Sequence, residues 1–227
     1  NCVQIGVKPF GYHNSGAEGL AQNTSLGLFR ADYMMNECGD GYNMKQVEVN
    51  NISSSFAGLA PAVRRVHKHI LSKYTDIQDL DNRLPENRSP ELMADGLIRA
   101  FNAYNHSNAV LMVVVESQVV NIFDQRLIEF TVSKSRPDIK IIRRSFEDLR
   151  ETARLNNNRE LIVDGKHEVA VVYYRTAYAP ENYGGEEDWN VRLLLERSKA
   201  IKCPSIQYHI TGCKKIQQIV ANQSVLE

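Results

Sequence analysis

Glu48 and Asn50 stand two apart in "KQVEVNNISSSF" (Lys45–Phe56), where clean alternation gives way to two asparagines and three serines. In a strand, residues two apart share a face, so Gln46, Glu48 and Asn50 face one way and Val47 and Val49 the other. The Glu48 carboxylate and the Asn50 amide then sit side by side, roughly 7 Å apart along the strand. Both are hard oxygen donors, suited to Mg²⁺ rather than zinc. The serines follow where the chain leaves the sheet, and their hydroxyls and backbone N–H groups can hold an anion. A solvated strand face running into a polar loop fits the same letters.

Three further stretches offer chemistry. "VVYYRTAYAP" ends a buried strand in Arg175, which puts a guanidinium at the carboxyl edge of a parallel sheet, where open α/β folds bind ligands. Arginine suits bidentate capture of a carboxylate or phosphate, and Tyr178 can add a donor; a strand-end arginine paired with a helix glutamate is the alternative. In "VESQVVNIFDQR", Asn121 and Gln125 lie one helical turn apart and can line the same crevice, or serve as a cap and a solvent-facing amide. "TGCKKIQQ" sets a glycine and two lysines at a helix start without P-loop spacing, so Lys214 is either a phosphate contact or a solvated side chain. His67 and His69 face different ways on a helix, and neither HExxH nor GxSxG occurs.

These residues need elements to position them. "SLGLFRADYMM" reads as a short strand ending near Arg30 and Asp32, joined through the turn "NECGDGYN" to an antiparallel neighbour, Met44–Val49. Pro61 opens a helix with Val63, Val66, Ile70 and Tyr74 at helical spacing; a second begins with Ser89 as N-cap and Pro90 at its first position. From residue 107 the grammar changes. Ala109–Val115 is a continuous apolar run, as in a strand buried on both faces. The order then predicted is a helix over 121–134, the strand "IKIIRR", a helix capped by Ser145 and Asp148, and a hairpin turning at Asp164-Gly165. A helix over 189–198, an extended "CPSIQY" and a last helix from Lys214 complete it. Such alternation predicts an α/β fold with a mostly parallel sheet.

Composition narrows the function. Lysine plus arginine equals aspartate plus glutamate, 27 each, so no overall field draws in nucleic acid or an anionic membrane. No apolar run approaches a membrane span. Cys2, Cys38, Cys203 and Cys213 show no metal-site spacing and suit a reducing, cytoplasmic setting. Five Asn-x-Ser/Thr triplets, at Asn23, Asn51, Asn87, Asn105 and Asn222, read as chance matches in a sequence rich in asparagine and serine. The sequence begins at Asn1 and ends in "VANQSVLE", which reads as an excerpt.

Taken together, "EGLAQNTSLGLFRADYMM", "KQVEVNNISSSFAGLA", "NIFDQRLIE", "VVYYRTAYAP", "RLLLERSKAIKCP" and "TGCKKIQQ" resemble, in order and spacing, the central region of the eukaryotic glutathione synthetases. The resemblance runs from about residue 18 to the end. It implies an ATP-dependent, Mg²⁺-dependent ligation of γ-glutamylcysteine to glycine through an acyl phosphate, in a cytoplasmic homodimer. The implied fold is α/β: a partial ATP-grasp body over residues 1–106, a Rossmann-like, mostly parallel substrate-binding domain over 107–211, and the start of the remaining ATP-binding region over 212–227. The resemblance also implies roles. Glu48 and Asn50 become Mg²⁺ ligands. Glu48 and Lys214 border ATP. Arg30, Ile52, Ser53, Ser54, Ser55, Asn121, Gln125, Arg175, Thr176, Ala177 and Tyr178 contact the dipeptide. One departure stands out: the family pattern has an acidic residue two before Asn121, where this chain has Val119, with Glu116 nearby but out of register. The third metal carboxylate and the glycine-rich lid of the family have no match, so the chain is expected to be inactive alone; a non-catalytic γ-glutamyl-peptide binding module or truncated product is the alternative. Whether glycine or β-alanine is the acceptor stays open.

Overall fold

The computed structural model describes residues 8–9, by backbone alone, and residues 19–222; most of the opening stretch, Cys2 included, lies outside the described residues. Two short paired strands, β1 (Lys8–Pro9) and β2 (Thr24–Ser25), precede a long antiparallel hairpin of β3 (Arg30–Cys38) and β4 (Gly41–Asn50). Helices α1 (Ala60–Tyr74), α2 (Leu80–Arg83) and α3 (Ser89–Tyr104) lead to β5 (Val110–Val114), α4 (Ile122–Ser135), β6 (Lys140–Arg144) and α5 (Phe146–Thr152). Then come β7 (Ala153–Leu155), β8 (Leu161–Val163), β9 (His167–Tyr174), α6 (Glu186–Arg197), β10 (Ile201–Cys203), α7 (Ile206–Thr211) and α8 (Lys214–Val220).

The apolar run becomes β5, parallel to β6 on one side and β9 on the other. β10 lies parallel to the later part of β9, while β8 and then β7 add antiparallel strands at its beginning. The sheet is therefore mixed, with a parallel centre. β5, and β9 from Val169 on, have no polar face because both faces are covered. Leu111, Val113, Val171 and Tyr173 pack with Met93, Leu97 and Phe101 of α3, Ile128 of α4, and Leu26 and Leu28. Their alternates Met112, Val114, Val172 and Tyr174 pack with Phe146 and Leu149 of α5 and Val191 and Leu195 of α6.

Local chemistry sets the ends. Ser145 Oγ accepts from the Asp148 N–H at 3.1 Å, and Asp148 Oδ2 accepts from the Ser145 N–H at 2.8 Å, the reciprocal box that starts α5. The hairpin between β8 and β9 turns through Asp164 and Gly165, both at positive φ (54° and 65°), as its tight turn requires.

Several expectations need correcting. The strand expected to end near Arg30 begins there: Leu26 and Leu28 are drawn into the core instead, and the Leu26 N–H donates to the Lys202 carbonyl. "CPSIQY" is not extended throughout; Ile206–Thr211 is helical, with the His209 N–H donating to the Ser205 carbonyl at 2.9 Å. Ser89 does not cap α3 with its side chain, because its hydroxyl donates to the Ala57 carbonyl at 2.7 Å. α6 begins three residues before the expected start, and α2 and β7 were not anticipated. The apolar row Val63, Val66, Ile70 and Tyr74 of α1 faces solvent, and α1 has no buried residue.

Tyr174 is fully buried under the Arg192 guanidinium, 4.1 Å from its ring centroid, yet its hydroxyl has no hydrogen-bond partner among the described residues. Burying an unpaired hydroxyl costs about 1–3 kcal/mol. Tyr174→Phe is therefore expected to leave stability unchanged or raise it by about 1 kcal/mol. A denaturation midpoint that clearly falls would show that the hydroxyl is bonded after all.

Candidate functional site

At the carboxyl ends of β5 and β9 the chain encloses a cleft of about 680 Å³. Of the residues singled out from the sequence, Arg30, Asn50, Ile52, Ser53, Ser54, Ser55, Asn121, Arg175, Tyr178 and Lys214 line it. They come from the hairpin, the loop after β4, the start of α4, the end of β9 and the start of α8. Glu48 stands behind Asn50 and Lys214. Gln125, Thr176 and Ala177 are buried beside the cleft rather than on its wall. Gln125 spends its amide internally, donating to Asn121 Oδ1 at 2.8 Å and accepting from Arg143 at 2.7 Å. Asn121 in turn donates to Ser55 Oγ at 3.0 Å.

The loop of serines is shaped by one carboxylate. Asp124, in the first turn of α4, accepts from the backbone N–H groups of Phe56, Gly58 and Leu59 at 2.9, 2.9 and 3.1 Å. It also pairs with Arg175 at 3.2 Å, and both side chains are 1% exposed. Arg175 reaches onward to the Ser54 carbonyl, to Ser55 Oγ at 3.3 Å and to the Tyr173 hydroxyl at 3.3 Å. The loop turns through positive φ at Ser53 (51°) and Phe56 (73°). Such backbone persists where its surroundings over-determine it, and the Asp124 contacts supply that. Gly58 is required on steric grounds, since a Cβ there would lie 2.5 Å from the Asp124 carbonyl oxygen.

At the other wall, β3 and β4 bring oxygens together. Asp32 pairs with Glu48 in register, and Asn50 with Arg30. Arg30 makes a two-pronged bond to Asp32, Nε to Oδ1 and Nη2 to Oδ2, each 3.0 Å. Asn50 Nδ2 donates to Glu48 Oε1 at 2.8 Å, so the two side chains are neighbours as the alternation implied. The Lys214 ammonium sits between Glu48 Oε2, at 2.9 Å, and Asn50 Oδ1, at 3.1 Å. It acts as a cation on the two oxygens whose types suit Mg²⁺. The Lys214 hydrogen bond, helped by that from Asn50, pulls the Glu48 carboxyl down from 4.5 to about 2. α8 is fixed there by Gln217 Nε2, which donates to the Val49 carbonyl at 2.8 Å. Gly212 leaves room for the Asn51 amide, which a Cβ would strike at 2.1 Å.

His209 also lines the cleft. Burial, with the nearby Arg192 charge, pushes its imidazole down to about 4, so it is neutral at physiological pH. Among the described residues Glu116 is the one carboxylate on the wall itself.

Residues 109–211 match the family described as eukaryotic glutathione synthase. The chain is 43% identical to human glutathione synthetase over 211 residues, covering 92% of this chain and 44% of that protein. It is 40% identical over 207 residues to the chloroplastic glutathione synthetase of Arabidopsis thaliana, covering 91% and 38%. These matches support a relationship to part of the eukaryotic glutathione synthetases. The chain spans less than half the length of the curated relatives it matches. In fold it is similar to a glutathione synthetase-like effector from Globodera pallida solved in apo form, with a TM-score of 0.76 at 24% identity, covering 90% of this chain and 47% of that one.

Within this glutathione synthetase relative, sequence reasoning overlooked Asp124, although it stands inside the quoted block "NIFDQR". An aspartate in the first turn of a helix has an ordinary explanation, favourable charge at the N-terminus, which hid its long-range work. Asp32, quoted only as a strand end, was missed in the same way.

Asp124→Ala would leave buried Arg175 unpaired, with three backbone donors unsatisfied. It is expected to cost about 3–5 kcal/mol in chemical denaturation. A loss below 1 kcal/mol would refute the anchoring role. Because the folded pKa of Glu48 is depressed, its contribution to stability is present above 4.5 and is lost as pH falls toward about 2. Lys214→Met should return that carboxyl toward the ordinary range in an NMR titration; an unmoved midpoint would mean that the ammonium is not the cause.

Proposed function

We propose that this chain carries the dipeptide-binding part of a glutathione synthetase, the ligase that joins γ-glutamylcysteine to glycine at the expense of ATP. One observation carries the reading: side chains from five separated segments, all within family motifs, converge on one cleft. The cleft chemistry supports it. Arg30, Arg175 and Lys214 bring guanidinium and ammonium donors suited to carboxylate and phosphate groups to its wall, each also paired with a carboxylate, Asp32, Asp124 and Glu48 in turn.

In the proposed mechanism, the serine loop and Asn121 orient the dipeptide, and Arg30, partly exposed and with Nη1 left over from its two-pronged bond to Asp32, meets an acidic group of the substrate. Arg175, already engaged by Asp124, contributes mainly its field and its hold on Ser54 and Ser55. The cysteinyl carboxylate attacks the γ-phosphate of ATP, ADP leaves, and the glycine amine then displaces phosphate from the acyl phosphate. Two anions must meet in the first step, and the arginines lower their repulsion. A walled site keeps water from the acyl phosphate. Glu48 and Asn50 would hold Mg²⁺, a fit supported by their joint grip on the Lys214 ammonium. That ion would supply neutralisation of phosphate charge. Lys214, released from those oxygens, is then placed for the nucleotide.

Residues 1–106 and 212–227 are proposed as parts of an ATP-grasp body, and 107–211 as a Rossmann-like substrate-binding domain. A homodimer and a cytoplasmic setting complete the proposal. For the latter, Cys38, Cys203 and Cys213 are all free thiols, and no helix among the described residues is long and apolar enough to cross a membrane.

The purified 227-residue chain is expected to bind γ-glutamylcysteine in calorimetry but to form no glutathione with ATP, Mg²⁺ and glycine. Arg30→Ala should weaken binding by about 10–100-fold, the worth of a charge-assisted hydrogen bond. Glutathione formation would refute the proposed inactivity, and indifference to Arg30 would remove that residue from the site.

A further inference from the structure

The cleft carries a nucleophile that the proposed reaction does not use. Cys213, the residue before α8, lines it together with Arg30, Arg175 and Lys214, and its thiol is free and exposed. Among the described residues its one side-chain hydrogen bond is weak, donated to the His209 carbonyl with the sulfur 3.7 Å from the oxygen. The other described thiols are placed differently. Cys38 is exposed at the end of β3, opposite Gly41, and does not line the cleft. Cys203 is buried, and burial pushes its thiol up, so it stays protonated and out of reach.

The turn that presents Cys213 is fixed by its own backbone. The Gly212 N–H donates to the His209 carbonyl and the Cys213 N–H to the Ile210 carbonyl, each at 3.0 Å. Beside this turn Asn51 lines the cleft; it is 4% exposed, and its Oδ1 has no partner among the described residues. Arg175, also on the wall, likewise leaves Nε unpaired. Buried polar groups without partners are rare, and on the wall of a cleft they point to a ligand that completes them. The thiol therefore stands in a binding site rather than on open surface.

We infer that Cys213 is a thiol–disulfide exchange site for the disulfide forms of γ-glutamyl-cysteinyl peptides, which the cleft guides to it by their carboxylates. The inference rests on the dipeptide reading above and deepens it. The ligand of that reading is a thiol, and its oxidised form is a symmetrical disulfide that bears the same carboxylates. The Cys213 thiolate attacks one sulfur of that disulfide. A bond forms between Cys213 and one peptide, the ligand's S–S bond breaks, and the second peptide leaves as a thiolate that takes up the proton released by Cys213. Cys213 is oxidised and the departing sulfur reduced, so the disulfide itself is the only oxidant. The mixed disulfide keeps a peptide tethered in the cleft and closes it to reduced dipeptide until a thiol reverses the exchange.

The test treats the full chain with the symmetrical disulfide of γ-glutamylcysteine, or with uncharged hydroxyethyl disulfide, and follows each cysteine by peptide mass spectrometry. With the charged disulfide Cys213 should react about 10–100-fold faster than exposed Cys38, the worth of a charge-assisted contact, and with the uncharged one at a rate comparable to Cys38. Arg30→Ala should remove most of that preference, which the adjacent Lys214 and Lys215 acting alone would maintain. In calorimetry the treated chain should lose γ-glutamylcysteine binding and regain it after reduction with dithiothreitol, whereas Cys213→Ser should bind equally before and after treatment. Equal rates at Cys213 and Cys38, or a preference that the uncharged disulfide or Arg30→Ala leaves intact, would overturn the role of Cys213 while reduced γ-glutamylcysteine still binds. Failure of the untreated chain to bind γ-glutamylcysteine would overturn the dipeptide reading, and this assignment with it.

Discussion

A single desolvated ion pair, Asp124 with Arg175, joins three of the five segments from which the cleft is built. Arg175 ends β9, Asp124 belongs to the first turn of α4, and the serine loop continues the hairpin. Burying two charges is expensive, and their attraction repays this only when the remaining donors and acceptors are also satisfied. Here Asp124 collects three backbone N–H groups besides the guanidinium, and Arg175 reaches three further oxygens; among the described residues only its Nε–H finds no partner. A pair of apolar side chains could fill the same volume, but could not hold Ser53 and Phe56 at positive φ. The pair serves geometry more than stability.

The same logic explains why the cleft lies where it does. Parallel strands that end together leave their carboxyl edges to loops, and loops can carry polar groups that a packed sheet cannot. β5 and β9 are buried on both faces, so their frames are rigid, and the positions just beyond them inherit that rigidity. Arg175 has its backbone N–H bonded to the Val114 carbonyl at 2.7 Å, which fixes the guanidinium base to the neighbouring strand. The hairpin wall differs. Tyr33, Met34, Met35, Tyr42, Met44 and Val47 of β3 and β4 are exposed, and only the base of the hairpin, near Arg30 and Asn50, is drawn toward the sheet.

Much of the sheet was legible because its signals are local. Val110–Val114 cannot be a half-exposed strand, the Ser145–Asp148 spacing announces a helix start, and Asp164-Gly165 announces a turn. The site was legible in part, from residue types whose placement follows a period, such as Glu48 and Asn50. What escaped depends on contacts far apart in sequence. Leu26 and Leu28 look like strand residues until the core claims them. Ile206–Tyr208 looks extended after a proline until Ser205 starts a helix. Asp124 looks like an ordinary first-turn aspartate, and only its bonds across 65 to 68 positions reveal it as the anchor of the loop.

Substitution within a motif is best judged by where each side chain comes to rest. Val119 in place of an acidic residue reads, letter by letter, as the loss of a charge from the cleft. In space the loop after β5 rotates the pattern: an apolar residue at 119 has core to pack against, and Glu116 stands on the wall with Tyr178 and Asn182. Val120 already lines the cleft, whereas a glutamate at 119 in this loop would be set against apolar neighbours. Desolvation cost selects the arrangement, because an unpaired buried carboxylate is far less tolerable than an exposed one.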